Sequence, residues 1–321
     1  MNPPPATPAP PALWPPGDWF VDLVHQADLT AFCKDRVLAR GQTRFQAYEI
    51  FENRLWGRLL ILDGRLQGAE KDEYIYHEAL VHPAMLAHPE PQRVLILGGG
   101  EGATLREALR HPTVADAVMV DIDGDLVEVC RQWLPSFHAG ALDDPRARLV
   151  VDDGRAWLAQ APDAAFDVII LDLPEPLEEG PALMLFTQEM YDLVKRKLAP
   201  GGLMAAQSGS AGPQARLMPD LNATLRAVFP QVAAYTAFVG SFMDLYGFQV
   251  AGGDSLIWPG AARLAQRLAA RGLEGLRWFS AAFGAALPLL PAELARRLRQ
   301  EGRVLTDAAP YRPEAGEGRF Y

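Results

Sequence analysis

The sequence predicts an α/β protein, with a doubly wound, mostly parallel sheet preceded by a small antiparallel β domain. Three observations predict it. Short runs free of polar residues, Val94–Leu97, Ala117–Val120 and Val168–Leu171, alternate with helical patterns, as in strands buried on both faces. A Gly-rich turn, Gly98-Gly99-Gly100-Glu101-Gly102, hands the first of these strands to a helix. Upstream the texture differs: Phe45–Gln67 reads as β structure, FQAYEIFE, a break near Asn53, then RLLILDG with a turn at Asp63-Gly64.

Four segments follow in order. Residues 1–17, MNPPPATPAPPALWPPG, are dense in proline and predict an extended, disordered tail. They lack the basic start and apolar stretch of a signal peptide. Residues 18–90 form the β-rich N-terminal domain and end in a helix over KDEYIYHEALVHPAMLAH. Residues 91–260 form the doubly wound domain, with strands in RVLILGGG, AVMVDID, ARLVVDD, FDVIILDL and GLMAAQS. Its helices are stopped at Pro112, at Pro135 and, after Thr187–Leu198, at Pro200-Gly201-Gly202. Residues 261–321 form a C-terminal extension, helical from Ala261 to near Glu301.

Composition narrows the partners. Of 321 residues, 49% are hydrophobic and 22% charged, ordinary for a globular protein with a sizeable core. Lys and Arg total 30 against 40 Asp and Glu, a net charge of −10, which argues against a nucleic-acid backbone as partner. No apolar run is long enough to span a bilayer. Cys33 and Cys130 show no CxxC spacing and predict reduced thiols, so a cytoplasmic location is expected.

In such sheets ligands bind at the C-terminal strand ends, near the switch in strand order. Carboxylates crowd there: Glu101 in the glycine loop, Asp121 and Asp123 after the second strand, Asp152 and Asp153 after the third, and Asp172 with Glu175 after the fourth. Helix capping is the competing account for Asp123, Asp152 and Glu178. Gly98-x-Gly100-x-x-Ala103 approaches a dinucleotide pattern, with Asp121 spaced as a ribose ligand. Glu101, however, would repel a pyrophosphate. A cationic nucleoside without phosphate removes that conflict, and S-adenosylmethionine and its decarboxylated form both fit. Asp121 would then take the ribose, Asp153-Gly154 the adenine edge, and Glu101 an ammonium or sulfonium group.

GGGEGATLREALRHP, VMVDID, DDGRAWL, DLPEPLEEGPALMLFTQEMY and PGGLMAAQSGS, together with RFQAYEIFENRLWGRLLILDGRLQGAEKDEYIYHE, resemble the polyamine aminopropyltransferases, the spermidine and thermospermine synthase family. The resemblance runs from about residue 40 to 250, with motifs in order. It implies a Rossmann-like, methyltransferase-type catalytic domain and a homo-oligomer, dimer or tetramer. It also implies aminopropyl transfer from decarboxylated S-adenosylmethionine to a polyamine acceptor, leaving methylthioadenosine, with no metal. Carried onto this chain, Asp172 matches the general base. Gln46, Gly98, Gly100, Glu101, Asp121, Asp153, Gly154 and Pro181 match the donor-binding positions. Gln67, Tyr76, His77, Glu101, Asp172, Glu175 and Gln207 match positions around the amine. Two departures stand out: Glu175 replaces an aspartate of the usual D-x-x-D-P, and AYTAFVGSFMDLYGFQV lacks the Tyr-Pro-Ser run of putrescine-type enzymes. Together with QSGSAG and EEGPALMLFT, closer to thermospermine-type enzymes, they leave putrescine, agmatine, spermidine or another polyamine open as acceptor.

Rival readings explain less. A methyltransferase accounts for the glycine loop and Asp121, but not for the Gln46 segment, the DEYIYHE segment or the Asp172/Glu175 pair. A non-catalytic polyamine-binding relative would be expected to lack Asp172, and an NAD-dependent dehydrogenase is disfavoured by Glu101. His77-Glu78 with His82 fails as a zinc motif because the histidines are five apart.

Overall fold

The doubly wound sheet orders the molecule, and its two faces can be read from alternate residues of each strand. In this computed structural model, residues 16–23, 29–176, 182–254 and 256–312 are described. Strands β1 (Trp19–Leu23) and β2 (Leu29–Cys33) form a hairpin. Then β3 (Arg36–Gln42), β4 (Ala47–Asn53), β5 (Gly57–Leu62) and β6 (Arg65–Ala69) form an antiparallel meander. The turn at Asp63-Gly64 lies between β5 and β6, where both residues take positive φ.

Helix α1 (Glu73–Ala87) leads into the parallel unit: β7 (Arg93–Gly98), α2 (Ala103–Leu109), β8 (Asp116–Asp121), α3 (Gly124–Trp133), the single turn α4 (Pro135–His138), β9 (Ala147–Val151), α5 (Gly154–Gln160), β10 (Phe166–Asp172), α6 (Gln188–Lys197) and β11 (Leu198–Ser210). After α7 (Leu217–Val228), β12 (Gln231–Val239) and β13 (Asp244–Gly252) close one edge antiparallel. The order is β12-β13-β11-β10-β7-β8-β9. From β7 the chain winds outward to β8 and β9, then returns to β10 on the other side of β7, so the switch in winding falls between β7 and β10.

Both faces of the central strands β7, β8 and β10 are buried. Val94, Ile96, Ala117, Met119, Val168 and Ile170 join one core with Leu80 and Met85 of α1 and Leu105 of α2. Their neighbours Leu95, Leu97, Val118, Val120, Ile169 and Leu171 join the opposite core with Leu158, Met190 and Leu221. Burying each such side chain contributes roughly 1.5–3 kcal/mol, and this explains why the runs Val94–Leu97, Ala117–Val120 and Val168–Leu171 carry no polar residue on either face.

Pro83 sits inside α1 and cannot donate to the carbonyl of Ala79 one turn earlier. The buried phenol of Tyr235 donates to that carbonyl at 2.8 Å instead, so the helix runs on. The C-terminal helices α8 (Ala261–Ala270) and α9 (Ala281–Ala286) add to the core shared with α1 through Leu264, Phe279 and Leu287, whereas Leu294 and Leu298 of α10 (Ala292–Gln300) form a separate small cluster with Ala211, Met218 and Ala234. Glu78 of α1 anchors the linker between α8 and α9 by accepting from the backbone nitrogens of Arg277, Trp278 and Phe279 at 2.8–2.9 Å. Among the described residues no helix is long and apolar enough to cross a membrane.

Candidate active site

The parallel register brings the strand ends level. Asp172 of β10 lies opposite Gly98 of β7, and Gly99 donates its N–H to the Asp172 carbonyl at 3.0 Å. Gly98 turns with φ +82°, and a Cβ there would stand 2.1 Å from the Asp172 carbonyl oxygen; only glycine fits. A Cβ at Gly100 would lie 3.0 Å from Oδ2 of Asp121, so the loop also leaves space in front of the second strand end.

A cavity of about 250 Å³ opens at this switch point. Gln46, Gln67, Tyr76, His77, Gly98, Gly100, Glu101, Asp121, Asp153, Gly154, Asp172 and Glu175 all line it, so residues from widely separated motifs share one wall. Tyr76 donates to Asp172 Oδ1 at 2.8 Å, and the Thr104 hydroxyl donates to Oδ2 at 2.6 Å. Each carboxylate oxygen is thus held by one donor and keeps a lone pair for another. Burial first, and then the charge of Glu101, push the Asp172 carboxyl up to about 6, although His77, Thr104 and Tyr76 act the other way. Burial and the same carboxylate hold the Tyr76 phenol well above its usual range, so it stays a neutral donor.

Glu101 is held by His77, whose Nε2 donates at 3.0 Å. Burial disfavours the imidazolium, but bonds to Glu101 and Glu73 more than offset it and raise His77 to about 10. His77 in turn holds Glu101 below the usual carboxylate range, although burial works against that. His77, Glu101 and Asp172 could together offer ligand atoms within 4.8 Å of one another. Yet both ring nitrogens of His77 are already engaged, with Glu73 and with Glu101, so the cluster is built as a cation between carboxylates. Asp121 accepts from the Asp123 N–H at 2.8 Å, and burial pushes it up to about 6.

Other strand-end residues take different places. Gln207 does not line the cavity. Its Nε2 donates to the Leu173 carbonyl and its Oε1 accepts from the Gly209 N–H, both at 2.7 Å, so the buried amide props the end of β10. Asp123 is 1% exposed and caps α3 through Leu126 N. Its other oxygen takes Thr43 at 2.6 Å and Gln46 at 2.9 Å, which clamps the β3–β4 turn onto the parallel sheet. Asp152 accepts from the Asp153 N–H and lines no part of the cavity, while Asp153 caps α5 through Ala156 N. Pro181 and Glu178 lie outside the described residues. His82 sits away from His77, bonded to Glu107 and His111, as the failed zinc spacing implies.

Sequence reasoning missed Thr104, Glu73 and Tyr246. Tyr246 donates to Glu175 Oε1 at 2.8 Å, and its ring lies 5.7 Å from that of Tyr76. Nothing in the local pattern around Tyr246 separates it from a core aromatic. Only the antiparallel return of β13 beside β11 carries it to the cavity.

Comparison with known proteins agrees with this geometry. A family model described as a spermine/spermidine synthase domain matches residues 73–255, and one described as a spermidine synthase tetramerisation domain matches residues 19–70. The chain belongs to the polyamine aminopropyltransferases. Within that family, an Aeropyrum pernix polyamine aminopropyltransferase is 44% identical over 236 residues, 74% of this chain and 75% of its own. Polyamine aminopropyltransferase 2 of Pseudomonas aeruginosa is 43% identical over 288 residues, 86% of this chain and 80% of its own. A spermidine synthase solved with the transition-state analogue AdoDATO superposes with a TM-score of 0.81 at 29% identity, covering 88% of this chain and 94% of that one. As an aminopropyltransferase the protein is an enzyme, and the cavity at the β7/β10 switch is where its strand-end carboxylates converge.

Proposed function

We propose that this aminopropyltransferase takes its aminopropyl group from decarboxylated S-adenosylmethionine, passes it to a polyamine acceptor and releases methylthioadenosine, with Asp172 as general base. The observation that carries the reading is the placement of Asp172, half-buried between Tyr76 and Thr104 on the lining of a cavity that also presents Glu101, Asp121 and Glu175. A site for two cations needs such surroundings, because carboxylates offset the repulsion between sulfonium donor and ammonium acceptor.

The new bond joins the acceptor nitrogen to the carbon beside sulfur, and the carbon–sulfur bond breaks. The leaving thioether is neutral and needs no acid. The acceptor must first lose a proton, and an alkylammonium titrates near 10.4. An ordinary aspartate near 3.9 would lie about 6.5 units below it; Asp172 at about 6 narrows that gap to roughly 4. Its two hydroxyl donors fix the carboxylate plane, so the amine it orients lies in line with the carbon.

The remaining roles follow position. Gln46, Gly98, Gly100, Asp121, Asp153 and Gly154 hold the nucleoside, with Pro181 assigned there by motif. Glu101 faces the donor's ammonium end, and Gln67, Tyr76, His77 and Glu175 surround the amines. The proposed division into residues 18–90 and 91–260 rests on the change from an antiparallel meander to the parallel sheet. The tetramerisation-domain match supports a homo-oligomer, and we place the enzyme in the cytoplasm.

The test offers decarboxylated S-adenosylmethionine with putrescine, agmatine, spermidine and spermine in turn, and measures methylthioadenosine. Product with at least one amine is expected, with longer acceptors preferred over putrescine. No product with any amine would overturn the reading and return the site to a methyltransferase.

A further inference from the structure

From His77 and Glu101 on the cavity lining, a ladder of alternating charge runs back to Glu73, Arg106, Glu107 and His82, which line no part of the cavity. His77 bonds Glu101 through Nε2 at 3.0 Å, and through Nδ1 it bonds Glu73 Oε2 at 2.8 Å. Glu73 is gripped by both prongs of Arg106, at 3.0 Å and 2.9 Å. The Nε of the same guanidinium donates to Glu107 Oε1 at 2.8 Å, and Glu107 Oε2 bonds His82 Nε2 at 2.9 Å. Helices α1 and α2 are thus joined by one chain of bonds whose open end is Glu101, on the cavity wall.

Stability alone does not account for such a chain. Desolvating paired charges costs about what their attraction returns, and apolar side chains of the same volume would join two helices as well. The open end does need the ladder. Glu101 lies beside Asp172 and faces Asp121, so its own ionisation is disfavoured by like charges. A cation at His77 relieves this, but a buried imidazole is charged only where both its N–H groups find acceptors. At Nδ1 the Glu73 backbone carbonyl, at 2.7 Å, and the Glu73 carboxylate, at 2.8 Å, share the second N–H; the carboxylate adds the charge a carbonyl lacks, and Arg106 keeps it ionised and in place. The groups facing His77 are Glu73 and Tyr76 on its own helix, Glu101 from the glycine loop and Asp172 from β10. Burial and Glu101's neighbours oppose the arrangement, yet Glu73 stays below its usual range through His77 and Arg106.

The geometry points to Glu73 and Arg106 as positioning residues that hold His77 as an imidazolium aimed at Glu101, and so keep Glu101 ionised and oriented for the cationic end of the donor. This inference rests on the proposed donor site for its kinetic consequence, but not for the state of His77.

Two measurements test it. In the unliganded enzyme at pH 8, nitrogen NMR of labelled histidine should show both ring nitrogens of His77 protonated, with the signal assigned by its loss in His77→Asn. Glu73→Gln keeps the backbone carbonyl at Nδ1 but removes the carboxylate charge, so the His77 imidazolium should lose a proton at least about one pH unit lower than in the native enzyme. In turnover, Glu73→Gln and Arg106→Gln should raise the donor KM roughly tenfold or more, the scale seen where outer partners orient a binding group, and the acceptor KM by a distinctly smaller factor, because His77 also borders the amines. Arg106→Lys keeps the charge without the fork and should fall between Arg106→Gln and the native enzyme; it also supplies a folded comparison should Glu73→Gln fail to fold. A neutral His77 in the native enzyme would overturn the inference, as would donor and acceptor KM rising by the same factor in these variants. A native enzyme inactive with every amine would sink the proposed function, and the histidine spectrum would still decide the ladder.

Discussion

Tyr76 and Asp172 stand 96 residues apart in the chain, and the phenol of one donates a 2.8 Å hydrogen bond to the carboxylate of the other. The bond ties α1 to the end of β10 on the lining of the cavity. With Thr104 on the second oxygen, it fixes a carboxylate that faces like charge and would otherwise be free to rotate away. The proposed base is therefore oriented before any substrate arrives, as preorganisation requires.

Asp172→Asn keeps the shape and removes the base. A general base contributes typically 10²–10⁴-fold, so kcat should fall by about that factor while the circular dichroism spectrum is retained. A methylthioadenosine assay on the purified variant checks it, and full activity would remove Asp172 from the mechanism.

Acid should inactivate the enzyme early. The base works unprotonated, and Asp172 is pushed up to about 6, chiefly by burial. The acid limb of kcat/KM should therefore bend near pH 6 rather than near 4, falling about tenfold per unit below it, as loss of one essential proton acceptor demands. A profile flat down to pH 5 would contradict the raised carboxyl.

The two loop glycines should fail differently. Gly98→Ala drives a methyl to 2.1 Å from the Asp172 carbonyl at φ +82°, so the β7–β10 strand ends must part. Loss of folded protein or a fall in melting temperature is expected. Gly100→Ala meets the movable Oδ2 of Asp121 at 3.0 Å and otherwise Asp121 Cγ and Val127 Cγ2 at 3.4 Å, so it should fold and raise the donor KM. Equal melting temperatures for the two variants would refute the distinction.

Much of this architecture was legible before any coordinate. Runs such as Val168–Leu171 announce strands buried on two faces, and parallel strands align their ends, which is why Gly98, Asp121, Asp153 and Asp172 meet as expected. What was not legible depends on contacts far apart in sequence. Thr104 is 68 residues from Asp172 and Tyr246 is 71 from Glu175, and neither carries a local mark of its partner. A glutamine at a strand end such as Gln207 serves equally to bond substrate or to prop the next strand; here backbone partners take both ends of its amide. Asp123 shows the reverse, a cap by pattern that also clamps Gln46.

Asp121 should be a burden on stability at high pH. Its folded carboxyl, at about 6, holds a proton more tightly than the unfolded one at 3.8. Between those values the folded state carries the extra proton, so stability falls as pH rises through that window and stays lower above it. Asp121→Asn removes the penalty: its melting temperature should exceed the native one at pH 8, and the gap should close near pH 4. The same variant should bind donor more weakly. A gap independent of pH in thermal scans would show that Asp121 is not buried at that cost.

Tyr246 is expected to govern the acceptor and not the donor. Its hydroxyl bonds Glu175 at 2.8 Å, while its ring packs 5.4 Å from Phe242 and 6.1 Å from Phe248. Tyr246→Phe keeps the packing and deletes one donor to a carboxylate, an interaction worth about 1.5–3 kcal/mol when direct. Because Glu175 reaches the acceptor only through its own carboxylate, the acceptor KM should rise by part of that, about threefold to tenfold, with the donor KM unchanged. Glu175 stands three residues beyond Asp172, so it can meet a second ammonium of the acceptor, and the penalty should differ between short diamines and longer polyamines. Measuring both constants with each amine decides it: an equal rise for donor and acceptor would place the Tyr246–Glu175 pair outside the acceptor site.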